Sequence, residues 1–312
     1  MFFQQGQKGN NKWWIYMLTI FLVLFAYTLG QVPLMIVAQV YIDRNRPDLS
    51  IEDFFTNPDF SSIGMSTNLG FLLLLVMFVA AILALYLSVT VLHKKPFQLL
   101  IHAAKSISWS RILFGFFLWL ALIGLTELPL YFQNPGNYIL TFDTTSFIPL
   151  FLISLLILPI QTSFEEVFFR GYLLQGLYLI ISHKWAVIVI TSLLFMFVHG
   201  TNPEIETFGF GIMMAYYFTA GLILAIVTSL DNRLELALGM HAAMNFFGAV
   251  FIGYSGGVLQ TDSILKATEI NPKFMLIGLI ISGVIFIAIS YKKFSWKIRR
   301  LFETDRPENH ES

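Results

Sequence analysis

The sequence predicts an all-α, polytopic membrane bundle with about eight transmembrane helices and both termini in the cytoplasm. Composition is the first reason: 56% of the 312 residues are hydrophobic and only 12% are charged, and the mean hydropathy of +0.72 is too high for a soluble globule. Run length is the second, because uncharged stretches such as 69–92 exceed the roughly 20 residues that cross a bilayer. These runs are also uninterrupted, which excludes the alternating pattern of a membrane β-barrel.

The apolar runs define the predicted elements in chain order. The first begins at Trp13; it is too long for a secretory signal and no small-residue cleavage site follows it, so it is predicted to be a retained span. The predicted spans are, within several residues at each end, 13–41, 69–92, 111–132, 146–164, 184–200, 207–230, 233–254 and 273–291. We expect them to form a single membrane-embedded domain, 1–312, because no internal repeat or independent soluble domain is apparent.

Charge in the connecting segments predicts the orientation. Lys and Arg gather before the first span, between the second and third spans, and after the last span, whereas the intervening loops carry mainly Asp and Glu. Basic segments favour the cytoplasmic side, so both termini are predicted to lie there. His93 and His102 fall in a basic connection and are expected to be solvated or interfacial. The polar tail, 302–312, is expected to be disordered.

Composition also excludes several classes of function. The chain contains no cysteine, which rules out a disulfide framework, a thiolate metal site and a thiol nucleophile. Its 19 basic and 19 acidic residues give no net charge that would indicate a nucleic-acid partner. The oligomeric state stays open.

The segment TSFEEVFFRGYL places Glu165, Glu166 and Arg170 in an apolar span. Each ionisable group costs at least about 2.5 kcal/mol there and therefore suggests a function. Residues four apart lie on one face of a helix, so Glu166 and Arg170 are expected to form an ion pair. Glu165 lies about 100° away and is expected to face a polar cavity. The alternative is a purely structural ion-pair patch near a helix end.

Two later spans contain polar stripes of their own. FMFVHG places Phe195 and His199 on one helical face, and GMHAAMNFF does the same for His241 and Asn245. A Glu, two His and an Asn that converge inside a bilayer can activate a water, hold a divalent metal or stabilise an oxyanion. Taken singly, each is equally compatible with a hydrogen bond between neighbouring helices.

Together the three segments fit E-E-x-x-x-R, F-x-x-x-H and H-x-x-x-N, in that order. Over about 146–255, the predicted catalytic core, the chain resembles the CPBP family of intramembrane proteases. That family unites the type II CAAX prenyl endopeptidases with bacteriocin-processing and self-immunity (Abi) proteins. The first three spans and the last match it only in general topology.

The resemblance implies a role for each motif position. Glu165 and His199 would activate the attacking water, and His241 and Asn245 would form the oxyanion hole. The supporting residues would be Glu166, Arg170 and Phe195. It also leaves a divalent metal open: zinc would be held by Glu165, His199 and His241, although the same residues serve as base and electrophile without it.

The resemblance further implies membrane lipids and a peptide or lipidated protein substrate as partners, and the short loops favour a bacterial plasma membrane. Two other classes of function are alternatives. A transporter or channel would be expected to show paired repeats with broken spans, which are not apparent. A non-catalytic scaffold, or a self-immunity protein of the same fold, would retain the motif as architecture and stays an alternative.

The predicted boundaries conflict with a shared site. Glu165 falls at the cytoplasmic end of the span 146–164, while His199 falls near the opposite end of 184–200, many ångströms away at about 1.5 Å per residue. The run over 146–182 is almost continuously apolar and contains Pro159. A kinked element that carries Glu165 deeper into the membrane would resolve the conflict.

Overall fold

The computed structural model describes residues 2–56, 58–103 and 106–302, and within them the chain is a bundle of helices with one small sheet. This confirms the prediction of an all-α, polytopic helical bundle. The α-helices are α1 (Trp13–Gly30), α2 (Val32–Asn45), α3 (Ile51–Thr56), α4 (Thr67–Leu87), α5 (Trp109–Gln133), α6 (Thr144–Leu156), α7 (Leu158–Glu166), α8 (Leu174–Ile181), α9 (Lys184–Val198), α10 (Pro203–Phe208), α11 (Phe210–Asp231), α12 (Glu235–Phe246) and α13 (Pro272–Lys293). From residue 303 onward, the predicted disordered tail lies outside the described residues.

Six helical segments of the described chain are long and apolar enough to cross a membrane: Trp13–Asn45, Thr67–Leu92, Trp109–Gln133, Thr144–Ile181, Phe210–Asp231 and Pro272–Lys293. The predicted spans 184–200 and 233–254 correspond to the shorter helices α9 and α12, so the predicted number of eight is not confirmed. Hydropathy predicted a full membrane span at α12 because the helix is apolar, but its surroundings are protein: every residue from Glu235 to Ala243 is buried. The cytoplasmic location of both termini stays a prediction.

The segment Thr144–Ile181 is one bent element of 38 residues, so the predicted boundary at residue 164 is wrong. Helix α6 ends at Leu156 and α7 starts at Leu158, with Pro159 in its first turn. Proline is well tolerated there because the first N–H groups of a helix have no partner within it. The apolar segment therefore continues into α7 after the break at Ile157, and Glu165 lies inside the element.

Wider π-helical turns follow two of the motif helices. One, Val167–Leu173, continues α7 and contains Arg170, and the other, Phe247–Phe251, continues α12 just beyond Asn245. Such turns are rare and frequently occur at functional sites. Here they change the direction of the side chains at the points where two of the predicted motifs end.

Hydropathy did not predict the small three-stranded sheet. Its strands are β1 (Tyr138–Leu140), β2 (Ile252–Tyr254) and β3 (Leu265–Ala267), in the order β1-β3-β2. Strand β1 runs antiparallel to β3, with Tyr138 opposite Ala267, and β2 runs parallel to β3, with Ile252 opposite Leu265. Because residues 252–254 form a strand, the predicted span 233–254 extends too far. Tyr138 and Ile252 line the central cavity, so the sheet forms part of its wall.

Glycines allow α5 and α12 to pack closely. A Cβ added at Gly239 would collide with the backbone of Ile112, and one added at Gly115 would lie 2.5 Å from the carbonyl oxygen of Leu236. Small residues at helix crossings let backbones approach in this way. The crossing holds α12, and with it His241, at a fixed distance from α5.

The two histidines that were expected to be solvated or interfacial are buried. His93 is 0% and His102 is 1% exposed. The N-terminal segment folds over the connection between α4 and α5, so that Nδ1 of His93 lies 2.8 Å from the carbonyl oxygen of Asn10 and Nε2 lies 2.9 Å from the hydroxyl of Tyr172. Burial lowers the pKa of His93 to about 4, so the ring is neutral at physiological pH.

Candidate active site

The three motifs converge around the carboxylate of Glu165. Its Oε2 atom lies 3.9 Å from Nε2 of His199, at the C-terminal end of α9, and 3.6 Å from Nε2 of His241 on α12. None of the three side chains is more than 17% exposed. The bend at Pro159 and the short α9 bring together the residues that the predicted boundaries had separated.

Glu166 forms the predicted ion pair with Arg170 and also holds His241. Its Oε1 atom accepts hydrogen bonds from Nη1 of Arg170 at 2.8 Å and from Nδ1 of His241 at 2.7 Å, and both members of the pair are 0% exposed. A carboxylate can only accept, so the hydrogen of His241 resides on Nδ1 and Nε2 is directed to Glu165. Arg170 also donates to the carbonyl oxygen of Gly221 on α11 at 3.1 Å.

His199 is oriented by the turn that precedes it. Its Nδ1 atom lies 2.7 Å from the carbonyl oxygen of Phe195, which can only accept, so the hydrogen is on Nδ1 and Nε2 faces Glu165. The rings of Phe195 and His199 are 4.3 Å apart, and the guanidinium of Arg170 lies 4.2 Å above the Phe195 ring. Sequence reasoning missed Tyr217, whose ring stacks on His199 at 4.5 Å.

Asn245 reaches Glu165 through a second residue that sequence reasoning missed. Its Nδ2 atom donates to Oε1 of Gln161 at 2.8 Å, and Nε2 of Gln161 donates to Oε1 of Glu165 at 2.5 Å. Gln161 lies one helical turn before Glu165, so the i, i+4 rule that predicted the ion pair could also have found this contact. Of the predicted site residues, all seven thus belong to one connected group.

The remaining oxygen of Glu165 differs from the other buried, unpartnered carboxylate oxygens in lying between two imidazoles. Oε2 is buried and has no hydrogen-bond partner within the described residues. It faces the Nε2 atoms of His199 and His241. In a neutral imidazole whose hydrogen is on Nδ1, Nε2 is an acceptor and cannot donate to this oxygen. A buried acceptor without a donor is costly, so this arrangement favours a water or another donor group between the three side chains.

A cavity of about 1080 Å³ adjoins this group. No Lys or Arg is among the described residues that line it. Its polar lining includes Glu127, Tyr138, Gln161, Glu165, His199, Asn202, Glu204, Tyr216, Tyr217, His241, Asn245, Tyr254 and Glu269. Towards α1 and α4 the lining is apolar and includes Leu24, which is 54% exposed.

Glu204 on α10 lies between the predicted spans 184–200 and 207–230; it is 6% exposed and lines the cavity. Oε1 accepts a hydrogen bond from the backbone N–H of Val258 at 2.9 Å. Burial raises the pKa of Glu204 in spite of this bond. Glu204 thus adds a buried carboxyl group to the cavity wall.

Glu165, His199 and His241 are also the candidate ligands for zinc. Their donor types suit this ion, and each imidazole has a hydrogen-bond acceptor at Nδ1, as zinc-bound histidines do. In arrangement they do not fit, because no group of three or more His, Cys, Asp or Glu in the described part of the chain is placed to hold a metal ion.

Comparison with known proteins adds independent information on this region. A sequence model of the family described as type II CAAX prenyl endopeptidase Rce1-like matches residues 144–247, a range that contains every motif position from Glu165 to Asn245. The uncharacterized protein YyaK of Bacillus subtilis (strain 168) is 30% identical over 295 residues, which cover 92% of this chain and 95% of the relative. The similarity to YyaK thus extends over nearly the whole bundle.

Proposed function

Because this chain belongs to the Rce1-like family of type II CAAX prenyl endopeptidases, we propose that it is an intramembrane endopeptidase whose nucleophile is a water activated by Glu165 and His199. The observation that supports this most directly is the buried, unpaired Oε2 atom of Glu165, which faces the Nε2 atoms of two oriented imidazoles. A water there can donate one hydrogen bond to the Glu165 carboxylate and its second to an imidazole nitrogen.

The first step is attack by this water. The 3.9 Å between Oε2 of Glu165 and Nε2 of His199 is too long for a direct hydrogen bond but suits a bridging water. Glu165 takes one proton from the water as its oxygen bonds to the carbonyl carbon of the peptide, and His199 accepts the other hydrogen bond and fixes the direction of attack.

The second step is stabilisation of the tetrahedral intermediate. The Asn245 amide has one hydrogen engaged with Gln161 and a second hydrogen that can be donated to the oxyanion. His241 can donate from Nε2 only as an imidazolium, since Nδ1 already donates to Glu166. Collapse breaks the C–N bond, and Glu165 returns its proton to the leaving amine, which balances the hydrolysis.

The cavity supports a membrane-associated or lipidated peptide as the substrate. Apolar residues of α1 and α4 line one part, and carboxylates without Lys or Arg line another. Because like charges repel, the carboxylate lining favours neutral or basic peptide segments over acidic ones. The similarity to a Bacillus protein supports a bacterial plasma membrane as the location.

The decisive experiment compares the peptides in membranes from cells that express the wild-type chain or the Glu165→Gln variant. Products that appear only with the wild type would identify substrates, and synthetic peptides that span their cleavage sites then give rates for purified protein in detergent. Glu165→Gln and His199→Ala are expected to abolish cleavage. Asn245→Ala is expected to lower kcat by about 100- to 1000-fold.

The matched control is Glu52→Gln, which removes an exposed carboxylate on α3 far from the cavity lining and should cleave at the wild-type rate. A Glu165→Gln variant that cleaves normally would overturn the proposal. If instead Glu165→Gln and His199→Ala both retained the cellular phenotype of the wild type, the chain would be the non-catalytic scaffold or self-immunity protein.

A further inference from the structure

A buried amide outside the three motifs touches both halves of the proposed machinery. Gln161 lies on α7, is 6% exposed and lines the cavity. Its Nε2 atom donates to Oε1 of Glu165, and its Oε1 atom accepts from Nδ2 of Asn245. These residues come from α7 and α12, so Gln161 bridges two helices as well as two proposed roles.

The charge of Glu165 fixes the direction of this hydrogen-bond chain. An ionised carboxylate can only accept, so the NH₂ group of Gln161 must face Glu165. The carbonyl oxygen of Gln161 then faces Asn245 and can only accept, so the NH₂ group of Asn245 must point to it. The amide orientations thus follow from the chemistry of the partners, and the second N–H of Asn245 stays available to a substrate oxygen.

We propose that Gln161 is a positioning residue that couples the general base to the oxyanion donor. It limits rotation of the Glu165 carboxylate by holding Oε1, which leaves Oε2 as the oxygen that meets the water. It also holds the Asn245 amide in the rotamer that presents an N–H to the intermediate. The inference rests on the proposed function, because its main readout is the rate of peptide hydrolysis.

Loss of the bridge is expected to affect kcat rather than KM. Gln161 contacts the proposed catalytic groups, so its loss should affect the chemical step more than substrate binding. Misplacement of a catalytic group by about 1 Å lowers the reaction rate roughly 100-fold. We therefore expect Gln161→Met, which keeps the volume and removes both hydrogen bonds, to lower kcat by up to about 100-fold with little change in KM.

The matched control is Gln175→Met. Gln175 is also buried on the same bent element, but its Nε2 atom donates to the carbonyl oxygen of Leu99 at 2.8 Å, away from the cavity lining. Gln175→Met should therefore change thermal stability while leaving kcat within twofold of the wild type. If Gln161→Met does not fold, Gln161→Asn is used in its place. The Asn side chain is one methylene shorter, so it cannot reach both Glu165 and Asn245, and the variant should show the same loss of kcat.

A double-mutant cycle separates positioning from general stability. If Gln161 acts through Asn245, then Gln161→Met should lower kcat much less in the Asn245→Ala background than in the wild type. Equal effects in the two backgrounds, or a Gln161→Met variant with wild-type kcat, would overturn the inference. Failure of the proposed function looks different, since the wild type would then be inactive or Glu165→Gln would be active.

Discussion

Replacing Arg170 by Met is expected to destabilise the protein by about 3–5 kcal/mol, because it leaves the carboxylate of Glu166 buried without its cation. Arg170 is 0% exposed and donates to Glu166 at 2.8 Å and to the carbonyl oxygen of Gly221 at 3.1 Å. Its guanidinium also lies 4.2 Å above the ring of Phe195.

The magnitude is dominated by the unpaired charge. An unsatisfied carbonyl such as that of Gly221 costs about 1–3 kcal/mol, and a desolvated cation–π contact is worth about 2 kcal/mol, but these terms overlap with the ion-pair term and are not additive. The double variant Glu166→Gln/Arg170→Met removes both charges. It is expected to recover much of the lost stability, since neutral replacements of buried ion pairs are often tolerated.

Unfolding of purified protein in detergent, followed by tryptophan fluorescence, measures this effect. Arg46→Met is the matched control, because Arg46 pairs with Asp48 at 2.9 Å on the surface, where the side chains are 43% and 67% exposed. This pair should contribute nothing measurable. An Arg170→Met variant that melts like the wild type and yet fails to cleave peptides would refute the reasoning and assign Arg170 a chemical role.

Four further predictions follow from the contacts described above. Tyr217→Leu removes the ring stacked on His199 and should lower kcat by up to about tenfold, whereas Tyr217→Phe should cleave at nearly the wild-type rate. In unfolding experiments Gly239→Ala should cost about 1–3 kcal/mol, because the added methyl meets the backbone of α5, while Gly124→Ala has open space and should be neutral. Thermal stability should fall as the pH decreases from about 6.5 to about 4, since His93 has its pKa lowered to about 4 in the folded protein and must be protonated on unfolding; His93→Gln should reduce this dependence. Dialysis against a chelator should leave peptide cleavage intact, and activity that is lost on chelation and restored by zinc would contradict the proposed steps.

The motif residues could be found from the sequence because charge inside an apolar run is costly enough to stand out. Helical spacing alone predicted the contact between Glu166 and Arg170, which the structure contains. Gln161 was missed although it has the same spacing from Glu165, because a neutral amide near a proline is a weak signal in a hydropathy profile. The role of Glu166 in holding His241 could not be predicted at all, since it depends on how α12 packs against α7.

The boundaries were less predictable for a different physical reason. Hydropathy measures how apolar a segment is, but it does not distinguish lipid from protein as the surroundings, so the buried helix α12 was predicted as a full span. Hydropathy also does not register a bend. The predicted span therefore ended at residue 164, whereas the helical element continues past Pro159 and contains Glu165. Strands of three residues, such as β2, are too short to give a periodic signal.

The buried ion pair is better explained by geometry than by stability. Pairs of this kind often contribute little net free energy, because desolvation offsets their attraction. Here, however, Arg170 holds the backbone of α11 through Gly221, and Glu166 holds His241 on α12. The pair thus connects three helices around the carboxylate of Glu165, whose Oε1 atom is held by Gln161 and whose Oε2 atom has no hydrogen-bond partner among the described residues. A charge pair that is costly to bury but directs an imidazole towards that carboxylate therefore fits the proposed hydrolysis better than a role in stability alone.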